Sequence, residues 1–418
     1  MADYGGAGEP LTKERALDAT VYLEDRALLL IKEGEILKAI PLLQESFDVR
    51  FKHIEHEQPT ADTLLLLGDT VRLMGDFRKA EELLNQFLQM QQLLAGKENE
   101  KYAKGLHAIA EMRYRREQYR SAGNLHAENT VIRVDCGGDV ASTLCAQANN
   151  LIAIAKFTEA QECCDKSYAI RSKVHGGMRH TDVAESVATK ARLQLALGNA
   201  QVALALSDQA LGSRRRLLSE AHPIVAESLQ LCAECLFQLG RFDDAVSRLD
   251  EVIELIESRI SRNHALVAIA LFWKARCAIV NGQYKSAMAQ GEEARAMFLT
   301  LRAAGACGSG LVAEADLLIG DVLRHQGKHE EAMQKYKIAI ETNEQVYIDV
   351  APPLALTYVS MAENYRFRGY FSESEDWLLK AGDILKATVG KEHPFYATYQ
   401  QTMGDLRTQQ GVYVQVRP

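Results

Sequence analysis

The chain has 418 residues, 47% hydrophobic, 25% charged and only 7% aromatic, and its 48 Lys and Arg against 56 Asp and Glu leave a formal charge of −8. That composition excludes a disordered or collagen-like chain, and its acidic balance argues against a nucleic-acid binder that relies on broad phosphate neutralisation. No apolar run reaches the roughly 18 residues needed to span a bilayer, and the start of the chain lacks the basic and apolar regions of a secretory signal.

In chain order one pattern recurs ten times: a Gly, any residue, an aromatic or apolar residue, two more, then Ala. The copies start at Gly34, Gly75, Glu117, Ala155, Gly198, Gly240, Gly282, Gly327, Gly369 and Gly411, at spacings of 38 to 45 residues. Those at Glu117, Ala155 and Gly369 are degenerate and the last is truncated. An independent position fixes the register. Seven residues before each landmark stand Ala27, Gly68, Ala110, Ala148, Ala191, Ala233, Ala275, Gly320, Ala362 and Gly404, all Ala or Gly. A small residue there lets a neighbouring backbone approach closely.

Each unit reads as a helical hairpin. In the copy around Gly240, Pro223 suits the first turn of a helix A running to Gln238. Ile224, Val225, Leu229, Leu231, Cys232, Leu236 and Phe237 give it a helical apolar period. Gly240 ends that helix in a left-handed conformation, and a helix B follows over about 242–260, burying Phe242, Ala245, Leu249, Val252, Ile253 and Ile256. Pro59, Pro352, Pro353 and Pro394 mark other helix A starts. Pro41 falls one to two turns into a helix B, where a bend is expected. A hairpin cannot bury both faces alone, so stacked copies share a continuous core and contact mainly their neighbours. The expected fold is all-α: one elongated, right-handed α-α superhelix of nine hairpins and a final helix A, over residues 16–413, with short tails at 1–15 and 414–418.

The small-residue column and the Gly-x-aromatic-x-x-Ala landmark resemble the tetratricopeptide repeat. The length near 42 residues and the segments Val389-Gly-Lys-Glu-His393-Pro394 and Glu220-Ala-His222-Pro223-Ile-Val225-Ala226 resemble its long form in kinesin light chains. The first repeat starts within about 20 residues of Met1, which leaves no room for that family's motor-joining coiled coil. The Asn pairs that often line its groove are also missing, with Phe272-Trp273 and Leu pairs in their place. The resemblance implies a non-catalytic interaction scaffold or adaptor in the cytoplasm. Subunits of cytoskeletal, motor-linked or ciliary assemblies are among its known uses. A ligand- or peptide-sensing protein and a peptide-binding cochaperone are the alternatives.

By the same resemblance helix A lines the concave face. Six residues before the landmark stand Asp69, Glu111, Glu234, Asp321, Glu363 and Asp405, with Leu28, Asn149, Arg192 and Arg276 in the other copies. These six acids, with Phe272 and Trp273, are the expected partner-binding residues, suited to a basic or helical segment of another protein. Local i,i+3 pairs (Asp69 with Arg72, Asp321 with Arg324, Glu363 with Arg366) are the competing explanation. No metal, cofactor or small-molecule substrate is expected. His180, His222, His264 and His393 share one repeat position and read as helix-start caps. Cys232 and Cys235 read as core thiols, and the eight Cys as reduced. The arginines at 113–120 and 214–216 read as solvated faces. Cys307-Gly-Ser-Gly310 falls in the longest repeat interval and reads as a loop extension. No catalytic motif is present.

Overall fold

The computed structural model describes residues 13–54, 57–176, 180–347, 352–391 and 393–411; the expected tail at 414–418 lies outside them, as does that at 1–15 up to residue 12, the first helix already beginning at Lys13. The described residues form nineteen helices and no strand. The A helices are α1 (Lys13–Lys32), α3 (Gln58–Met74), α5 (Glu100–Arg115), α7 (Val140–Ala153), α9 (Thr181–Ala196), α11 (Pro223–Gln238), α13 (Ala265–Val280), α15 (Gly310–His325), α17 (Pro352–Phe367) and α19 (Pro394–Gln409). The B helices are α2 (Ile36–Ile54), α4 (Phe77–Ala95), α6 (Tyr119–Cys136), α8 (Phe157–His175), α10 (Ala200–Leu217), α12 (Phe242–Arg259), α14 (Tyr284–Ala303), α16 (His329–Val346) and α18 (Phe371–Thr388). Nine hairpins and a closing helix A are therefore present, and α2 runs through Pro41 without ending.

The repeat register has a backbone basis. All ten landmark residues take the left-handed conformation that turns helix A into helix B, and Glu117 (φ 60°) and Ala155 (φ 58°) do so without being glycine. The alanines of the small-residue column are at most 1% exposed. So is the residue five after each landmark, from Ala39 to Ser374. Gly404 alone of the column is exposed, because no described helix follows α19.

The core is not continuous. One cluster runs from Val187 to Leu406, a second from Ala27 to Met112, and only two small ones lie between them. The gap is filled by polar packing. Sixteen residues after the landmark, helix B buries Arg50, Arg133, Arg171 and Arg214, where the other copies have Gln91, Ile256, Phe298, Asn343 and Leu385. Each arginine reaches the start of the next helix A. Arg50 donates to Pro59 O and Thr63 Oγ1, both at 2.7 Å, and Arg133 to Asp139 O and Thr143 Oγ1 at 2.8 and 2.9 Å. Arg171 donates to Asp182 O at 2.8 Å and Ser186 Oγ at 3.2 Å, and Arg214 to Ser228 Oγ at 2.7 Å. Arg214 is thus buried, not on a solvated face. Phe242 and Ile253 are only half-buried, because helix B shows its outer flank to solvent.

The superhelix is coiled tightly enough for successive turns to touch, so the expected elongated shape with neighbour-only contacts is corrected. The interhelix turn of each of four hairpins meets the start of the helix A five hairpins later. Ser219 N donates to Lys32 O at 3.3 Å, and Arg259 pairs with Glu35. Gly75 packs against the His264 ring, and Arg78 donates to Ala303 O at 3.1 Å. Arg116 donates to Gly305 O at 2.6 Å, while Glu117 accepts from Gly310 N and Leu311 N. His393 Nε2 meets Ala196 O at 2.6 Å, beside Pro394 lying on Gly198. The histidines explain themselves here. Nδ1 of His180, His222, His264 and His393 accepts the backbone N–H two residues on, at 3.1–3.3 Å, capping its helix. In His393 the other ring nitrogen reaches back to the previous turn.

Candidate functional site: the inner channel

Coiling the A helices inward encloses a cavity of about 1110 Å³, lined from Arg72 on α3 to Thr398 on α19. This exceeds the roughly 300–1,000 Å³ of ordinary small-molecule sites. Of the expected partner-binding residues, Glu111, Glu234, Phe272, Trp273, Asp321 and Glu363 line it; Asp69 and Asp405 do not.

The lining is mixed in charge rather than a bare acidic stripe: eight carboxylates and six arginines contribute to it. The arginines come from several helix positions, so the column six before the landmark could not show them all. Most pair internally. Arg115 holds Glu227 at 2.6 Å. Although burial opposes it, Arg115, Arg192 and Arg214 together hold the Glu227 carboxyl down at about 2. Local pairing also holds Asp69 to Arg72 at 2.8 Å and Asp321 to Arg324 at 3.7 Å. Glu363 is instead 2.9 Å from Arg324 of the preceding repeat.

Three groups around the middle of the channel are not neutralised in this way. Glu234 accepts only from Gln230 Nε2, at 3.2 Å, and burial pushes its carboxyl up to about 7. Glu314 has no hydrogen bond or ion pair among the described residues, and burial raises its carboxyl against the more distant pull of Arg276. Arg276 also has no carboxylate within ion-pair distance among them. Its guanidinium lies 4.4 Å from the Trp273 ring centroid and 4.6 Å from that of Phe237, a cation–π stack. Gln230 is buried with its Oε1 unpartnered. The channel therefore carries an apolar aromatic wall beside charges and a carbonyl that lack internal partners.

Two family models for the tetratricopeptide repeat match the sequence, one over residues 17–93 and 182–258, the other over 236–296 and 290–345. Together they cover more than half of the chain. The chain is a tetratricopeptide-repeat protein. The solved Rap protein complexed with competence and sporulation factor is similar in fold over 94% of this tetratricopeptide-repeat chain and 99% of its own, at 13% identity and a TM-score of 0.56. A putative kinesin light chain of Podosopora anserina matches half of this chain and 98% of its own, at 20% identity and a TM-score of 0.39. BtubC from P. vanneervenii matches 60% and 92%, at 17% identity and a TM-score of 0.40. No curated protein matches the chain.

Other features of this tetratricopeptide-repeat protein fall into place as structure. Cys232 and Cys235 are fully buried, and burial pushes both thiols up to about 12, so they stay protonated core groups. His325 is exposed, and His329 is half-buried with its Nδ1 2.9 Å from Asn364 Oδ1. Among the described residues His175, His180 and Asp182 come together at the edge of the channel, with the two rings stacked at 3.8 Å. Their stacking and the capping bond of His180 account for this geometry. No described helix is long and apolar enough to cross a membrane.

Proposed function

We propose that this protein is a non-catalytic interaction protein that takes a segment of a partner protein into its inner channel. The observation that carries the reading is the unneutralised set at mid-channel, Glu234, Glu314 and Arg276, beside Phe237 and Trp273. Leaving charges without partners in a half-buried site costs stability, and a ligand that supplies the partners recovers it. At mid-channel two unpaired carboxylates face one unpaired arginine, which favours a segment with basic side chains and an apolar residue for the aromatic wall. The walled channel favours one threaded segment over a broad docking face. The protein then serves as a ligand-responsive adaptor in the cytoplasm. Placement in a cytoskeletal, motor-linked or ciliary assembly rests on the use of kinesin-light-chain-like repeats alone.

Affinity purification with mass spectrometry from native cells identifies the partner, and charge variants then test the site. Glu234→Gln is expected to weaken partner binding several-fold and Glu234→Lys by more than about tenfold, one tenfold step being 1.4 kcal/mol, with the helical signal and melting curve retained. Unchanged affinity in both variants contradicts the reading. Asp321 is unsuited to this test, because its carboxylate accepts the buried Tyr336 hydroxyl at 2.9 Å.

A further inference from the structure

Of the contacts between successive turns, the one at Glu117 is built differently. Eight of the ten landmarks are glycine, yet here a glutamate holds the left-handed backbone at φ 60°, a conformation that costs an L-residue roughly 1–2 kcal/mol. Its side chain crosses to the next turn and accepts two hydrogen bonds, from Gly310 N at 2.5 Å and Leu311 N at 3.1 Å. These are the first amides of α15, which have no partner within their own helix, and the helix dipole favours a carboxylate there. The receiving loop is shaped for it. A Cβ at Gly308 would stand 2.1 Å from Glu117 Oε2, and one at Gly310 would stand 2.8 Å from it. Arg116 closes the same seam by donating to Gly305 O. The long interval at Cys307-Gly-Ser-Gly310 is therefore a receptor for a side chain five hairpins earlier.

We propose that Glu117 is a clasp between successive turns of the superhelix, and that Glu314 couples the clasp to what occupies the channel. Glu314 lies one helical turn beyond Gly310 on α15 and lines the channel. It has no ion-pair partner among the described residues. Burial pushes the Glu117 carboxyl up to about 7 against the pull of the Gly310 and Leu311 amides, and the charge of Glu314 adds to the rise. Other groups around Glu117 are Arg116 beside it and the stacked Tyr119 and Tyr347, whose hydroxyls stay protonated. A ligand cation that neutralises Glu314 removes the repulsion on Glu117 and tightens the clasp, so the superhelix closes on its ligand. That ligand step rests on the channel-binding reading; the clasp does not, and the test below contains no ligand.

Hydrogen exchange at the Gly310 and Leu311 amides reads the clasp in the full chain. Glu117→Gly, which restores the usual landmark residue, is expected to speed exchange there by about tenfold, the loss of a charge-assisted bond. Gly308→Ala is expected to do the same by expelling the carboxylate. Glu314→Gln is expected to slow exchange two- to threefold in the natural chain and to have no effect in the Glu117→Gly background. Exchange at 310–311 that ignores Glu117→Gly overturns the clasp. An equal effect of Glu314→Gln with and without Glu117 overturns the coupling, whatever the outcome of partner binding.

Discussion

Arg171→Met is expected to destabilise the solenoid by about 3–5 kcal/mol, the range for removing one partner from a buried charged network. Arg171 is 3% exposed and binds Asp182 O, Ser186 Oγ and, at 2.7 Å, the Glu185 carboxylate. Methionine fills much of the volume but removes the charged donor from the Glu185 carboxylate, Asp182 O and Ser186 Oγ, leaving the last two with the 3.4 Å bond between them and the 3.0 Å bond to Ser167, at a place where the apolar clusters are small. The chain itself shows the remedy. Where the equivalent residue is Ile256 or Phe298, the facing position in the next helix A is Ala270 or Ala315; where it is arginine, that position is Thr63, Thr143, Ser186 or Ser228. Arg171→Met with Ser186→Ala should therefore recover part of the loss, a coupling that a double-mutant cycle measures. Denaturant unfolding followed by circular dichroism, with exchange across α7–α9, locates the effect. A loss under about 1 kcal/mol would remove the arginine ladder from the account of stability.

Gly320→Leu is expected to be the second large effect, at about 3 kcal/mol or more, the upper end of overpacking costs. An added Cβ there would stand 2.5 Å from the Tyr336 ring. Tyr336 is fully buried, and Asp321 and Arg324 hold its hydroxyl at 2.9 and 3.3 Å, so the ring cannot swing away. At Gly404, by contrast, an added Cβ has no atom of the described residues within 4 Å, so the same substitution extends into open space. It should change the unfolding midpoint little or raise it slightly, since leucine favours a helix over glycine. Equal effects at the two positions would contradict the view that the small-residue column is a close-packing device.

The periodic features were legible in the sequence because each repeat repeats its local physics. The landmark and the small column locate the turns and the helix–helix contacts, and α11 has the bounds that Pro223 and Gly240 predict. Glu117 and Ala155 keep the left-handed turn despite lacking a glycine, and at Glu117 the two amides of α15 bound by its carboxylate help to hold it. The buried arginines were missed for a specific reason. Arg214 sits beside Arg215 and Arg216, which reads as a charged face. Its signal lies in the register, sixteen residues after the landmark, and in the hydroxyl opposite it. The turn-to-turn seam depends on how each hairpin rotates relative to the last, accumulated over five units, which no local pattern encodes. Arg192 and Arg276 were legible in the column six before the landmark, but Arg72, Arg115 and Arg324 enter the channel from other positions of helix A and Arg214 from helix B, which the acidic column could not show.

The central claim is that partners bind inside the channel. The most direct measurement places a photo-crosslinking amino acid at Gln238, which lines the channel, or at Val134, 61% exposed on α6 and outside it. Irradiation in native extract, followed by mass spectrometry, then reports which face meets the partner. The account predicts one partner adduct from position 238, lost in the Glu234→Lys background, and none from position 134. An adduct from 134 with none from 238 would contradict it.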